Sequence, residues 1–152
     1  MTDERFMTLA LNEAQKALEA GEVPVGAVIV KDGEVIACGR NDREGNNNPL
    51  GHAEINAIVA AAKHLGVWRL GGCTLYVTLE PCCMCAGAVI NSRIDRVVYA
   101  AADKDAGCFG SVINMAHLPG VAPLKITAGV QAEQSRELLA KFFGNLRENG
   151  QK

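Results

Sequence analysis

The chain has 152 residues, 49% of them hydrophobic and 21% charged, with a formal net charge of −2. That length suits a single domain over residues 1–152, and that apolar share excludes intrinsic disorder as the default state. Near-neutral charge argues against a broadly basic nucleic-acid-binding surface, while leaving room for a local patch drawn from Arg40, Arg43, Arg69, Arg93, Arg96 and Lys104.

Thr2 is placed to cap a first helix, in which Phe6, Leu9, Ala10, Ala14, Ala17 and Leu18 recur at helical spacing until Gly21 stops it. Residues 23–30 and 34–39 flank Asp32-Gly33, a two-residue hairpin signal. Residues 41–50, rich in Asn and Gly, read as a loop. A second helix is predicted from about His52 to Leu65, stopped by Gly66, and a strand over 73–79. Pro81 is predicted to open a third helix that runs to about Asn91, since proline fits a first helical turn. A strand over 95–100, an irregular stretch over 101–123, a short strand over 124–128 and a last helix over 132–147 complete the order. One sheet with helices on both faces follows, an α/β class. The start, Met1-Thr2-Asp3-Glu4, lacks a signal-peptide pattern, and no apolar run is long enough to cross a bilayer. A soluble cytoplasmic protein with no membrane partner is expected.

Three of the six cysteines crowd into residues 82–85, which in a reducing compartment points to metal ligation or catalysis. The segments that matter are His52-Ala53-Glu54 and Pro81-Cys82-Cys83-Met84-Cys85. Cys82 and Cys85 are three apart, on one helical face, whereas Cys83 is turned about 100° away. A helix N-terminus favours the thiolates that zinc requires. With His52 they make a Cys₂His set for one Zn2+ per subunit, leaving a fourth position for water, as in catalytic sites. Zinc lowers the pKa of its water to about 7. Glu54 is the candidate catalytic residue, carrying a proton from water to a departing amine. Residues two apart on a regular helix do not face each other, so His52 and Glu54 converge only if His52 lies in the cap or an irregular first turn.

Blander readings compete. A structural zinc site needs four protein ligands. His64 is about 18 Å along the helix from His52, too far to join, which leaves Cys38, Cys73 or Cys108 as the fourth. Those cysteines and Cys83 otherwise read as small buried hydrophobes. Glu80 reads as a structural or capping residue rather than a second acid. Leu138, Leu139, Phe142, Phe143 and Leu146 form a core-facing stripe at helical spacing.

A His-x-Glu followed by Pro-Cys-x-x-Cys is the signature of zinc nucleobase deaminases. Glu22-Val23-Pro24-Val25-Gly26-Ala27-Val28, His52-Ala53-Glu54-Ile55, the run over 75–88, Ser92-Arg93-Ile94 and the Phe142-Phe143 pair extend the likeness over nearly the whole chain. In these stretches it resembles the bacterial tRNA-specific adenosine deaminases of the cytidine deaminase-like superfamily. The resemblance implies a three-layer α/β/α sandwich with a central mixed five-stranded sheet, and a homodimer. It implies hydrolytic deamination of the wobble adenosine to inosine in a tRNA anticodon arm, with Asn41, Asp103 and Phe143 contacting substrate. Two alternatives stand beside it: a deaminase of a free base or nucleoside of guanine or cytosine type, and a zinc-stabilised interaction module without catalysis.

Overall fold

The computed structural model describes residues 2–149. Thr2 caps α1 (Asp3–Glu19) by accepting a hydrogen bond from Arg5 N–H, as its position before the amphipathic run requires. The hairpin β1 (Gly26–Lys31) and β2 (Glu34–Arg40) turns through Asp32 and Gly33, both at positive φ. Two successive positive φ values are what a type I′ turn demands, and Asp-Gly supplies them at low cost. There follow α2 (Ala53–Leu65), β3 (Cys73–Leu79), α3 (Cys83–Asn91), β4 (Arg96–Ala101), β5 (Lys125–Ala128) and α4 (Ala132–Glu148).

The sheet order is β2-β1-β3-β4-β5. The β1 strand pairs antiparallel with β2 and β3, while β3–β4 and β4–β5 are parallel, so the sheet is mixed. Alternation along the strands separates two cores. Ala27, Ile29, Leu75, Val77, Val97 and Tyr99 pack under α2 and α3. Their neighbours Val28, Val30, Tyr76, Val98 and Ala100 pack against Phe6, Met7 and Ala10 of α1 on the opposite face. The α4 helix joins that second face against β4 and α1. There Ser135 Oγ donates to Thr78 O at 2.6 Å. This is the expected three-layer α/β/α arrangement. No helix among the described residues is long and apolar enough to cross a membrane.

One contact sets the depth at which α2 sits. A Cβ on Gly39 would lie 2.4 Å from Ala53 O and 2.6 Å from Ala57 N, so the missing side chain lets the start of α2 rest directly on β2. Two expectations need correction. Pro81 does not open α3: Glu80 N–H still bonds Ala101 O across the sheet, the chain stays extended through Cys82 (φ −75°, ψ 178°), and Cys82 is the N-cap. The stripe on α4 is only half-buried, with Phe143 exposed, because α4 covers the sheet from outside and, among the described residues, packs only on the side facing β3, β4 and α1.

Candidate metal-dependent active site

His52 and Cys82 hold the same position on two helices. Each is an N-cap with extended backbone, His52 at φ −92° and ψ 152°, and neither side chain caps its own helix. Both are thereby free to turn into the space at the C-terminal end of the parallel strands, where open α/β sheets bind ligands. Cys85, one turn into α3, is buried beside them. His52 Nδ1 lies 3.7 Å from Cys82 Sγ and 3.5 Å from Cys85 Sγ, and all three ligand atoms fall within 4.8 Å of one another. Ligands held at Zn–S and Zn–N lengths across a tetrahedral angle stand about 3.6 Å apart, so the donor set fits zinc in both chemistry and spacing. Among the described residues, Cys38, Cys73 and Cys108 are outside this set. Cys38 and Cys83 are exposed, contrary to their reading as buried hydrophobes, while Cys73 and Cys108 are buried.

The extended cap at His52 answers the convergence condition. Glu54 sits in the first turn of α2, and both residues line one cavity of about 200 Å³. Glu54 is 3% exposed, and its Oε1 has no hydrogen-bond partner. Burial pushes its carboxyl up to about 7, against the opposing pull of backbone N–H and His52. Hydrogen bonds from Cys85 and then His52 hold Cys82 down to about 3, whereas the bond to Cys82, and then burial, push Cys85 up. His52 is raised, first by its hydrogen bond with Cys82.

Two loops form the walls. Asn41, just after β2, and Asp103, just after β4, both line the cavity, as does Arg43. Asn41 Nδ2 donates to Val23 O at 3.3 Å, its backbone N–H to Val25 O, and its Oδ1 accepts from Arg43 N–H. Behind it, the buried carboxylate of Glu22 accepts from Glu44 N–H at 3.0 Å and Gly45 N–H at 2.6 Å. Asp42 closes the same loop: its N–H bonds Gly51 O, and its side chain accepts from Asn46 and Asn56. On the other wall Asp103 Oδ1 accepts from the N–H groups of Asp105 and Ala106, both at 3.1 Å, which turns the chain sharply. Phe143 is not among the residues lining the cavity; it is 47% exposed on α4, edge-to-face against Phe142.

Of the cations considered for a basic patch, Arg43 reaches the cavity. Arg40 pairs with Glu13 and Arg96 with Asp3, while Arg69 and Arg93 flank Trp68. Nothing local in the sequence marks Glu22 or Arg43. Glu22 lies about twenty residues from the loop it anchors, a distance that no periodicity rule spans.

Similarity to known proteins runs through this whole framework. A family model for MafB19-like deaminases matches residues 1–147. The "tRNA-specific adenosine deaminase" of Bacillus subtilis is 47% identical over 146 residues, covering 95% of this chain and 91% of that one. A solved structure from studies of A-to-I editing by tRNA:A34 deaminases superposes with a TM-score of 0.86 at 43% identity, covering 89% of this chain and 99% of the other. The guanine deaminase structure from Bacillus subtilis aligns with a TM-score of 0.65 at 36% identity, over 78% of this chain and 86% of that one. Because the likeness takes in both ligand segments and every strand, the chain belongs to the MafB19-like deaminase family, among the tRNA-specific adenosine deaminases.

Proposed function

We propose that this protein hydrolytically deaminates the wobble adenosine of a tRNA anticodon arm to inosine, as a cytoplasmic homodimer with one Zn2+ per subunit. The observation that carries the chemistry is the cluster of His52, Cys82 and the buried Cys85 beside a cavity that His52, Cys82 and Glu54 line. The likeness to tRNA:A34 deaminases supplies the substrate.

His52 Nδ1 and the sulfurs of Cys82 and Cys85 would hold the metal, which supplies Lewis-acid activation of water at neutral pH. The chain's own contribution is proton traffic and positioning. Glu54 takes a proton from the attacking water and delivers one to the amine leaving C6, so adenosine and water become inosine and ammonia. A carboxyl raised towards 7 suits both directions of transfer. Its apolar surroundings, Val25, Ala53 and Leu79, keep bulk water from competing for that proton. Asn41 and Asp103 hold the base between the two walls. Phe143 contacts substrate from α4, outside the cavity of a single chain.

Free-base deamination is the second reading, favoured by the likeness to guanine deaminase. The protein is incubated with an anticodon stem-loop carrying a wobble adenosine, and separately with free adenosine, cytidine and guanine. Inosine is followed by mass spectrometry and ammonia by a coupled assay. Inosine from the stem-loop, with binding that weakens as salt rises, is the expected result. Ammonia from a free base, with the stem-loop untouched, assigns the second reading.

A further inference from the structure

We infer that Glu80 is a positioning residue for the substrate-facing wall at residues 103–111, acting through Asp103; this rests on the deaminase reading above. Glu80 is 2% exposed at the end of β3, two residues before Cys82. Its Oε1 accepts from Asp103 N–H at 3.1 Å and from the Ser111 hydroxyl. Its Oε2 accepts from Phe109 N–H at 3.0 Å and Ser111 N–H at 3.1 Å. An ionised carboxylate offers about four acceptor sites. All are filled, so Glu80, although it also lines the cavity, has none left for a reacting proton, whereas Glu54 Oε1 has no hydrogen-bond partner.

The loop is wrapped around this group. A Cβ on Gly107 would lie 2.3 Å from Glu80 Cδ, so the backbone rests on the carboxyl itself. Cys108 N–H bonds Pro81 O at 2.9 Å, next to the ligand Cys82. Gly107 N–H bonds Asp103 O at 2.9 Å and closes the turn whose other edge is the Asp103 side chain. Glu80 itself lines the cavity, and its grip on the chain holds Asp103 and Ala106 beside it there. The same two-residue step that leads to Cys82 fixes the wall's height above the metal ligands. Substrate affinity is set through this grip.

Glu80→Gln isolates the effect. The amide nitrogen takes the Oε1 side, because the Ser111 hydroxyl can turn to accept whereas backbone N–H groups cannot. Asp103 N–H then loses its partner and the wall is released at its cavity end. For Glu80→Gln, KM for the anticodon stem-loop is expected to rise about tenfold, as for an orphaned buried donor, while kcat changes less and zinc stays at one per chain. Hydrogen exchange of the Asp103 amide is expected to accelerate, a readout independent of turnover. In an Asp103→Ala background, which keeps the backbone N–H but removes the side chain that Glu80 positions, the Glu80→Gln effect on KM should largely vanish. Unchanged KM and amide protection, or additive effects in the double variant, overturn the inference. So does a KM rise that merely follows zinc loss. If Glu80→Gln does not fold, Ser111→Ala, which keeps every backbone donor, should raise KM about twofold to threefold, and an unchanged KM there overturns it equally. Wild-type protein inactive on every stem-loop would refute the tRNA reading, while the exchange measurement would still decide the grip.

Discussion

At the floor of the cavity, two helices begin in the same way: His52 and Cys82 are extended N-caps that leave their side chains free, and the first turn beyond each brings Glu54 and Cys85 alongside. The walls are held by a different means. The 41–51 loop is tied at several points, by Glu22, by Asp42 with Asn46 and Asn56, and by Asn41 itself. The 103–111 loop gathers on one buried carboxylate, Glu80. In the proposed function the difference separates chemistry from recognition. The floor depends on residues within three positions of a helix start. Each wall takes a buried acid from another part of the fold, Glu22 or Glu80, and has further ties: Asn41 and Asp42 within the 41–51 loop, and Cys108 N–H to Pro81 O on the other.

Removing the acid at the floor has the largest expected effect. Glu54→Gln should lower kcat for inosine formation by a factor of about 10² to 10⁴ while keeping fold and zinc. Normal turnover in a folded, zinc-loaded variant would remove Glu54 from the mechanism. Next comes Cys85→Ala, which takes away one donor: zinc content measured by mass spectrometry should fall well below one per chain, and Tm with it. In the wild type the proton on Cys85 must leave for metal to bind, because its thiol is raised by Cys82 and by burial. Zinc affinity should accordingly drop as pH falls, by about tenfold per unit for each proton released. A pH-independent affinity would contradict that assignment.

Two glycines test whether floor and walls are separable. Gly39→Ala drives a methyl into Ala53 O and Ala57 N and should shift the start of α2, harming kcat and zinc retention together. Gly107→Ala drives one into the Glu80 carboxyl and Asp103 O, and should raise KM with zinc retained. Identical kinetic signatures in the two variants would erase the distinction.

The smallest effect is expected far from both regions. Asp3 receives two hydrogen bonds from Arg96 and one from Tyr76, and the Arg96 bond holds its carboxyl below the ordinary 3.8. Asp3→Asn should cost about 1 kcal/mol, since both side chains are partly solvated, and leave turnover unchanged. A depressed carboxyl contributes its full stability above the unfolded value and loses it as pH falls through the folded one. The gap in Tm between wild type and variant should thus persist near neutrality and close below about pH 4. A gap that stays open in acid would trace the stabilisation to packing instead.

The order of elements was legible because it rests on local chemistry: Thr2 as a cap, Asp32-Gly33 as a turn, alternation over 73–79. Residues 82–85 announced a metal site because ligand type and helical spacing are themselves local. Pro81 stands two positions before the first residue of α3, since the pairing of Glu80 with Ala101 prolongs the extended chain, and that pairing is tertiary. The same holds for Glu80. Next to a proline it reads as a structural residue, and it is one, but what it holds lies some thirty residues onward.

By itself, then, the sequence determined the sheet, the helices and the donor set, because periodicity, caps and ligand spacing act over a few residues. Tertiary structure alone decided that His52 is an extended cap able to converge with Glu54, that Arg43 rather than the other candidate cations reaches the cavity, and that Glu22 and Glu80 grip its two walls. The grips of Glu22 and Glu80 join segments more than twenty residues apart in the chain, and short-range pattern carries no trace of them.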